Sequence, residues 1–517
     1  MSIKQNIASL KRAATLARMA RTGLAASTAK DDHSRQAARH ALAAMMADAR
    51  GIPMKIGQFL SDQGDGNFDA LVEGIEPLAL SEVTPAIEDQ LGSSIKEVFT
   101  QLDESTAAAS LGQVHFGVLT SGDPIAVKVQ YPHIASAVQS ELGLAGLLPG
   151  MGPVKKWGFD LNAYKQMLSD NMDRELDYRT EAARQSDFAE AVQIEGLIVP
   201  EVHTTWCRPG LLVQSREESM PLKTAANWPV NQRREVAEIL MRTFFSSMFN
   251  AGMVHGDPNL GNLGVRKNNS GNPELVLYDY GCMVTVPERA RLALLKLILG
   301  CMDHDETDAL ACFSEMGFDE AKLEPISNIL PALSLILFEP FLKNDLYSVK
   351  YWNLGERTSD LLGELKWWFR SAGPPELFLM MRAFSGLVNH LEILKIIVNW
   401  RSTLLDTLPQ DLLDEARAFQ PKLKQDWSDR TTLHMSSVAE FLKVLVMEGH
   451  RKVVQVTMPA MQVSDLANLI PEEVLTKVQE AGINIHQIGQ EACKKGIQPQ
   501  ELFTLKTGDR DYRVWLE

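Results

Sequence analysis

The period of apolar and polar positions changes several times along this chain. Through residues 1–100, apolar side chains recur three and four apart, the helical spacing. HALAAMMADARGIPMKIGQFLSDQGD (40–65) opens as an alanine-rich helix, is interrupted at Gly51 and Pro53, and restarts as a second one. From 101 to 135 the period drops to two. Ile125, Val127 and Val129 share one face of a strand, and Ala126, Lys128 and Gln130 share the other. Residues 161–192 read as one long helix, while GLIVPEVH (196–203) and GLLVQSREES (210–219) read as strands. From about residue 228 the helical period returns, broken only by MVHGDPNLGNLGV (253–265) and ELVLYDYGCM (274–283). The order predicts an α+β chain. A helical extension (1–44) and a second helical stretch (45–100) precede a small mixed lobe (101–217), a large helical lobe (218–400) and a helical region (401–517). Within the last, PEEVLTKVQEAGINIHQIGQEACKKGIQPQELF (471–503) reads as two short amphipathic helices, suited to packing or protein contact.

Composition narrows the setting. A chain of 517 residues suits two or three packed subdomains, and 45% apolar with 23% charged residues is a folded-protein profile. Cys207, Cys282, Cys301, Cys312 and Cys493 show no metal-ligand spacing and read as reduced thiols of a cytoplasmic protein. No apolar run is expected to span a membrane; the longest, LPALSLILF and FLKVLVM, are short and flanked by charge. A net charge of −15 argues against nucleic acid as a partner. The amino terminus departs from that acidity. Residues 1–40 carry Lys4, Lys11, Arg12, Arg18, Arg21, Lys30, Arg35 and Arg39 against Asp31 and Asp32. Ile3, Ile7, Leu10 and Ala14 fall on one helical face. Such a basic amphipathic helix packs on the body of a protein, lies on an anionic membrane surface, or directs import into an organelle.

Four polar positions interrupt these apolar patterns with related chemistry. Lys128 lies in the strand PIAVKVQ. HGDPNLGN (255–262) sets Asp257 five residues before Asn262, and LYDYG puts Asp279 at the end of an apolar strand. Phosphoryl transfer from a nucleotide needs these residue types in this order. A lysine neutralises phosphate oxygens, an aspartate and an asparagine hold Mg²⁺, and a second aspartate faces the attacking hydroxyl. The lysine also needs a helix carboxylate. On a continuous 161–192 helix, Asp177 and Glu181 are i,i+4 and share a face, while Glu175 points the other way, i,i+4 from Arg179. Glu181 is therefore the expected partner of Lys128. TAAASLGQVHFG (106–117) sits where a phosphate loop belongs, but its tip is Ala107, Ala108, Ala109 and Ser110 instead of glycine. Left-handed backbone at an alanine costs about 1–2 kcal/mol, so this loop is expected to be stiffer and to grip the terminal phosphate differently.

KIGQ (55–58), AAAS (107–110), AVKVQYP (126–132), ELD (175–177) followed by Glu181, HGDPNLGN and DYG together resemble the UbiB/AarF/ADCK-type atypical kinases over about residues 45–300, and more loosely through PPELFLMMRAFSGL (374–387). The resemblance implies a protein kinase-like bilobal fold that uses ATP or ADP with Mg²⁺. Lys128, Asp257 and Glu181 would be catalytic and Asn262 and Asp279 would hold the metal. The 45–100 region would be a lid over the nucleotide, its Lys55 paired with Glu175 and Asp177 and its Gln58 on the same helix face. A hinge near Ser215 and Glu217 would meet the adenine. The lid would occupy the groove where protein kinases bind peptide, favouring ATP hydrolysis or a small acceptor over protein phosphorylation. Asn259 and Leu260 depart from the family's common HGDPHPGN, and Tyr280 replaces the phenylalanine of its metal motif.

The family role would be support of ubiquinone or another isoprenoid lipid, with quinone-biosynthesis enzymes as partners. The protein would be cytoplasmic, held peripherally at the inner membrane by its basic start. Two other readings stay open: a phosphotransferase acting on a small molecule or lipid, and a nucleotide-gated scaffold.

Overall fold

The computed structural model of the chain describes residues 77–108, 111–132, 134, 159–363, 365–427 and 432–517. The helical extension 1–44, most of the expected lid with Lys55 and Gln58, and Ala109 and Ser110 of the alanine tip lie outside the described residues.

Helix α1 (Leu80–Leu91) leads into strands β1 (Phe99–Ala108), β2 (Gly112–Leu119) and β3 (Pro124–Gln130). Helices α2 (Leu161–Glu175) and α3 (Tyr178–Ala191) follow, then β4 (Leu197–Ile198) and β5 (Leu211–Ser215). The small lobe is the antiparallel sheet β1-β2-β3-β5, with Lys128 between Val114 on β2 and Leu212 on β5. The period-two pattern separates its faces. Ile125, Val127 and Val129 are buried with Val83 and Ile87 of α1, while Lys128 emerges on the opposite face, toward α3. Ala107 and Ala108 do not form a loop tip. Their backbones pair with Val114 and Gln113, so β1 runs on through the first two alanines.

The expected 161–192 helix is two helices. Asp177 ends the run by capping α3: its carboxylate accepts from the Arg179 N–H, and the Tyr178 N–H leaves for the Pro209 carbonyl. An aspartate that caps locally competes with continuation of the preceding turn.

The chain crosses to the large lobe through β6 (Met220–Pro221) and α4 (Val230–Phe245). Two short antiparallel pairs present the functional loops: β7 (Met253–His255) with β10 (Met283–Thr285), and β8 (Leu263–Lys267) with β9 (Pro273–Leu277). Helix α5 (Glu288–Asp303), a run of shorter helices and α6 (Leu377–Leu394) build a core around Phe245, Leu295, Leu387 and Trp400. The result is a bilobal, kinase-like α+β fold.

Two expectations fail here. Residues 401–517 are not simply helical. After two short helices, β11 (Phe441–Glu448), β12 (Arg451–Pro459), β13 (Gln500–Thr507) and β14 (Arg510–Leu516) form an antiparallel sheet in the order β12-β11-β14-β13. The two expected amphipathic helices are present, as α7 (Glu472–Glu480) and α8 (Ile485–Lys494) between β12 and β13. FLKVLVM is thus a sheet strand whose Leu442 and Val444 pack into a core shared with Leu310, Phe313 and Leu330. Its apolar run is short enough to serve either element, and long-range pairing decided between them. Second, one segment, Leu377–Leu394, is long and apolar enough to cross a membrane by length and composition. It packs into the large lobe and carries the buried polar residues Arg382 and His390.

Candidate active site

Lys128 is the centre of one side of the site. Its ammonium donates to both oxygens of Glu181, at 2.7 and 2.9 Å, and to Asp279 Oδ2 at 3.1 Å. Its Nζ also stands 5.0 Å from the ring centroid of Tyr178, a cation–π contact from the residue that opens α3. Burial works against the Lys128 charge, yet Asp279, Glu181 and Tyr178 together hold its pKa well above the ordinary lysine value. Burial pushes Glu181 up to about 7 against the pull of Lys128, and the nearby acids Asp279 and Glu175 add to the rise. The partner expected from the sequence is therefore the partner found.

The two acids of ELD are placed differently from expectation. Asp177 is paired with Arg179 through two oxygens, at 3.0 and 2.7 Å, and it is Asp177 rather than Glu175 that this arginine meets. The helix break turns Glu175 inward, where it is 7% exposed. A side-chain carbon built on Gly281 would lie 3.2 Å from Asp279 Oδ1, 3.5 Å from Glu175 Cγ and 3.6 Å from Glu181 Oε2, so three carboxylates converge on one point. Arg184, one turn beyond Glu181, donates to the Gly281 carbonyl at 2.8 Å and ties α3 to the DYG turn. The sequence reading missed it.

Asp279 sits in left-handed backbone at φ 57°, unusual away from glycine and frequent at functional turns. Its Oδ1 accepts the Gly281 N–H at 3.0 Å, and its carbonyl accepts from His255 Nε2 at 2.5 Å. A carbonyl can only accept, so Nε2 carries the proton. Asn262 is brought beside Asp279 by a backbone bond from the Tyr278 N–H to the Asn262 carbonyl. Among the described residues no cluster of three or more His, Cys, Asp and Glu could hold a metal ion. One carboxylate and one amide on adjoining backbone nevertheless fit Mg²⁺, which takes few protein ligands and completes its shell with water and phosphate oxygens.

On the other side lies Asp257, 8% exposed. Gly256 before it is required by space: a Cβ would stand 3.1 Å from Cys282 Sγ and 3.2 Å from the Cys282 carbonyl. Asp257 Oδ1 accepts from Arg382 Nη2 at 2.8 Å, and the Asp257 carbonyl accepts from Asn262 Nδ2 at 3.3 Å. Arg382 stands 125 residues downstream, and its only sequence signal is a lone arginine inside the apolar run LFLMMRAFSGLV.

At the expected hinge, the Ser215 N–H donates to the Glu201 carbonyl and the Glu217 carbonyl accepts from the Tyr278 hydroxyl. Both groups are already engaged. The Glu217 carboxylate instead joins the lobes, accepting from Arg266 Nη1 at 2.7 Å.

Residues 70–312 match the family model described as the ABC1 atypical kinase-like domain, a span that includes Lys128, Glu181, Asp257, Asn262 and Asp279 and excludes KIGQ and Arg382. The chain is similar to an ABC1 family protein of Schizosaccharomyces pombe (27% identical, covering 53% of this chain and 54% of the relative). It is similar to the mitochondrial atypical kinase coq-8 of Caenorhabditis elegans (24%, covering 67% and 47%). It is also similar to a probable protein kinase UbiB of Pseudomonas aeruginosa (25%, covering 59% and 60%). The chain thus spans about half the length of the curated relatives it matches.

Proposed function

Starting from a chain that carries an ABC1 atypical kinase-like domain of the UbiB/ADCK type, we propose that it is a Mg·ATP-dependent phosphoryl-transfer enzyme that hydrolyses ATP or phosphorylates a small acceptor. The observation that carries this reading is the three-way pairing of Lys128 with Glu181 and Asp279, across from a buried Asp257. A structural lysine needs one partner. One stretched between a helix carboxylate and the strand-end aspartate stands where α- and β-phosphates would replace its second contact.

Asn262 and Asp279 would hold Mg²⁺, which would supply charge neutralisation across the phosphates. Lys128, kept in place by Glu181 and by the Tyr178 ring, would bind the nonbridging oxygens. Asp257 would accept a hydrogen bond from the attacking water or hydroxyl and take its proton as transfer proceeds. In this reading Lys55 and Gln58 close over the nucleotide, the basic start meets an anionic membrane, and the biological setting is quinone or isoprenoid-lipid synthesis, as the names of the coq-8 and UbiB relatives suggest.

The test is phosphate release from Mg·ATP by the purified protein, with and without anionic liposomes, beside Asp257→Asn. Turnover should fall on the order of 10²- to 10⁴-fold in the variant, while a fluorescent ATP analogue still binds. Equal release by both proteins would remove Asp257 from the chemistry. Binding without release in either would favour a nucleotide-gated scaffold.

A further inference from the structure

Helix α6 meets the Gly256–Pro258 segment at three successive turns. At the first, Arg382 donates from Nη1 to the Gly256 carbonyl at 3.1 Å and from Nη2 to Asp257 Oδ1 at 2.8 Å. At the second, Gly386 leaves a notch that the Pro258 ring fills; a Cβ on residue 386 would stand 2.0 Å from Pro258 Cβ. At the third, His390 Nε2 meets the Pro258 carbonyl at 3.0 Å. Burial lowers His390 to about 4, so the ring is neutral and donates through Nε2–H. Positions 382, 386 and 390 are four apart and share a helix face. Arg382 is 7% and His390 4% exposed, so neither contact is diluted by solvent.

We propose that Arg382 is the positioning residue for Asp257 and that the Arg382–Gly386–His390 face of α6 sets the geometry of the catalytic loop. This rests on the phosphoryl-transfer reading of Asp257. A buried carboxylate needs a counter-charge, which any cation could supply. The fork adds orientation. One guanidinium nitrogen holds the backbone just before Asp257 and the other holds the side chain, so the carboxylate cannot turn without breaking a charge-assisted bond. The notch and the imidazole stop the following residue from following any such turn. All three residues lie beyond the span matched by the family model, so the kinase-like domain takes the rigidity of its loop from a helix outside that span.

The experiment compares Arg382→Lys, Arg382→Met and Asp257→Asn with the Arg382→Met/Asp257→Asn double variant, all in the full chain. Steady-state ATP turnover and hydrogen exchange of residues 255–262 are read together. Arg382→Met should lower kcat ten- to a hundredfold with KM for ATP changed less than threefold, and should speed exchange across the loop at least tenfold. Arg382→Lys, which keeps the charge but not the fork, should recover only part of the turnover. Because Arg382 acts through Asp257, the double variant should be no slower than Asp257→Asn. It should also fold where Arg382→Met alone does not, since it leaves no buried carboxylate facing the vacated guanidinium site. Losses that multiply in the double variant, an unchanged exchange rate, or full turnover in Arg382→Lys would each overturn the proposal. A wild-type protein without turnover would sink the enzymatic reading instead. The clamp would then stand or fall on the exchange rates alone.

Discussion

The two sides of the candidate site are held by different physics. Around Lys128, two acids share one cation with a third, Glu175, close to both, and burial and acidic neighbours push Glu181 up to about 7. Around Asp257, the carboxylate meets an arginine, a group that stays charged at any working pH, and the adjoining backbone is caught by a neutral histidine and a glycine notch. The lysine side could redistribute charge if phosphates and a cation bound there, as proposed, because its groups share contacts. The loop side has no such freedom. Phosphoryl transfer asks for both: a flexible electrostatic receptor for the nucleotide and a fixed direction for the nucleophile.

The comparison breaks most visibly at Asp279. Asp279→Asn removes the carboxylate proposed to hold Mg²⁺ and one of the two charges on Lys128. Turnover should drop by about a thousandfold, equivalent to several kcal/mol of transition-state stabilisation, with the loop's exchange rates untouched. A smaller loss, or a loosened 255–262 loop, would mean the two sides are mechanically one.

A pH series comes next in size. Glu181 pairs with Lys128 as an anion, so kcat/KM for Mg·ATP should climb as pH rises through 7. Stability should move the other way. The folded-state value, about 7, lies above the ordinary 4.5, so the folded protein binds this proton more tightly and loses stability as pH rises from 4.5 through 7. Glu181→Gln should flatten both slopes and lower activity roughly tenfold, about the worth of one hydrogen bond to a charged group. Thermal melts and initial rates between pH 5 and 8 read both. A slope that persists in the variant would assign it to another group.

Gly386→Ala should give the smallest effect and the sharpest contrast. Its Cβ collides with Pro258, costing about 1–3 kcal/mol of stability as an overpacked contact does. Turnover should fall less than in Asp279→Asn, and the pH slopes of the lysine side should survive. Altered slopes would show that the loop sets the electrostatics as well as the geometry.

The legible parts of the site were those in which one residue type at one spacing has few chemical uses. Lys128, Glu181, Asp257, Asn262 and Asp279 come together as the motifs suggested. Glu175 and Asp177 were legible as acids but not as directions. Whether 161–192 continues or breaks turns on Asp177 capping α3, a local competition that helical periodicity does not register. Arg382 and His390 were hidden because a polar residue in an apolar helix gives no hint of its partner. Arg184 was hidden in a helix rich in exposed charge. The carboxy-terminal sheet was hidden because short apolar runs suit either element until a partner strand is present.

By itself, then, the order of apolar periods and the spacing of a few polar residues determined a small mixed lobe ahead of a large helical one, and which charged and amide groups meet between them. These are local properties: the period decides which face is buried, and a carboxylate or an ammonium has its chemistry wherever it stands. Tertiary structure alone decided where Glu175 points, that residues 441–459 pair with 500–516 as a sheet, and that Asp257 is gripped by a helix residue 125 positions away. Those outcomes depend on contacts between distant segments, whose energies exist only once the chain has closed on itself.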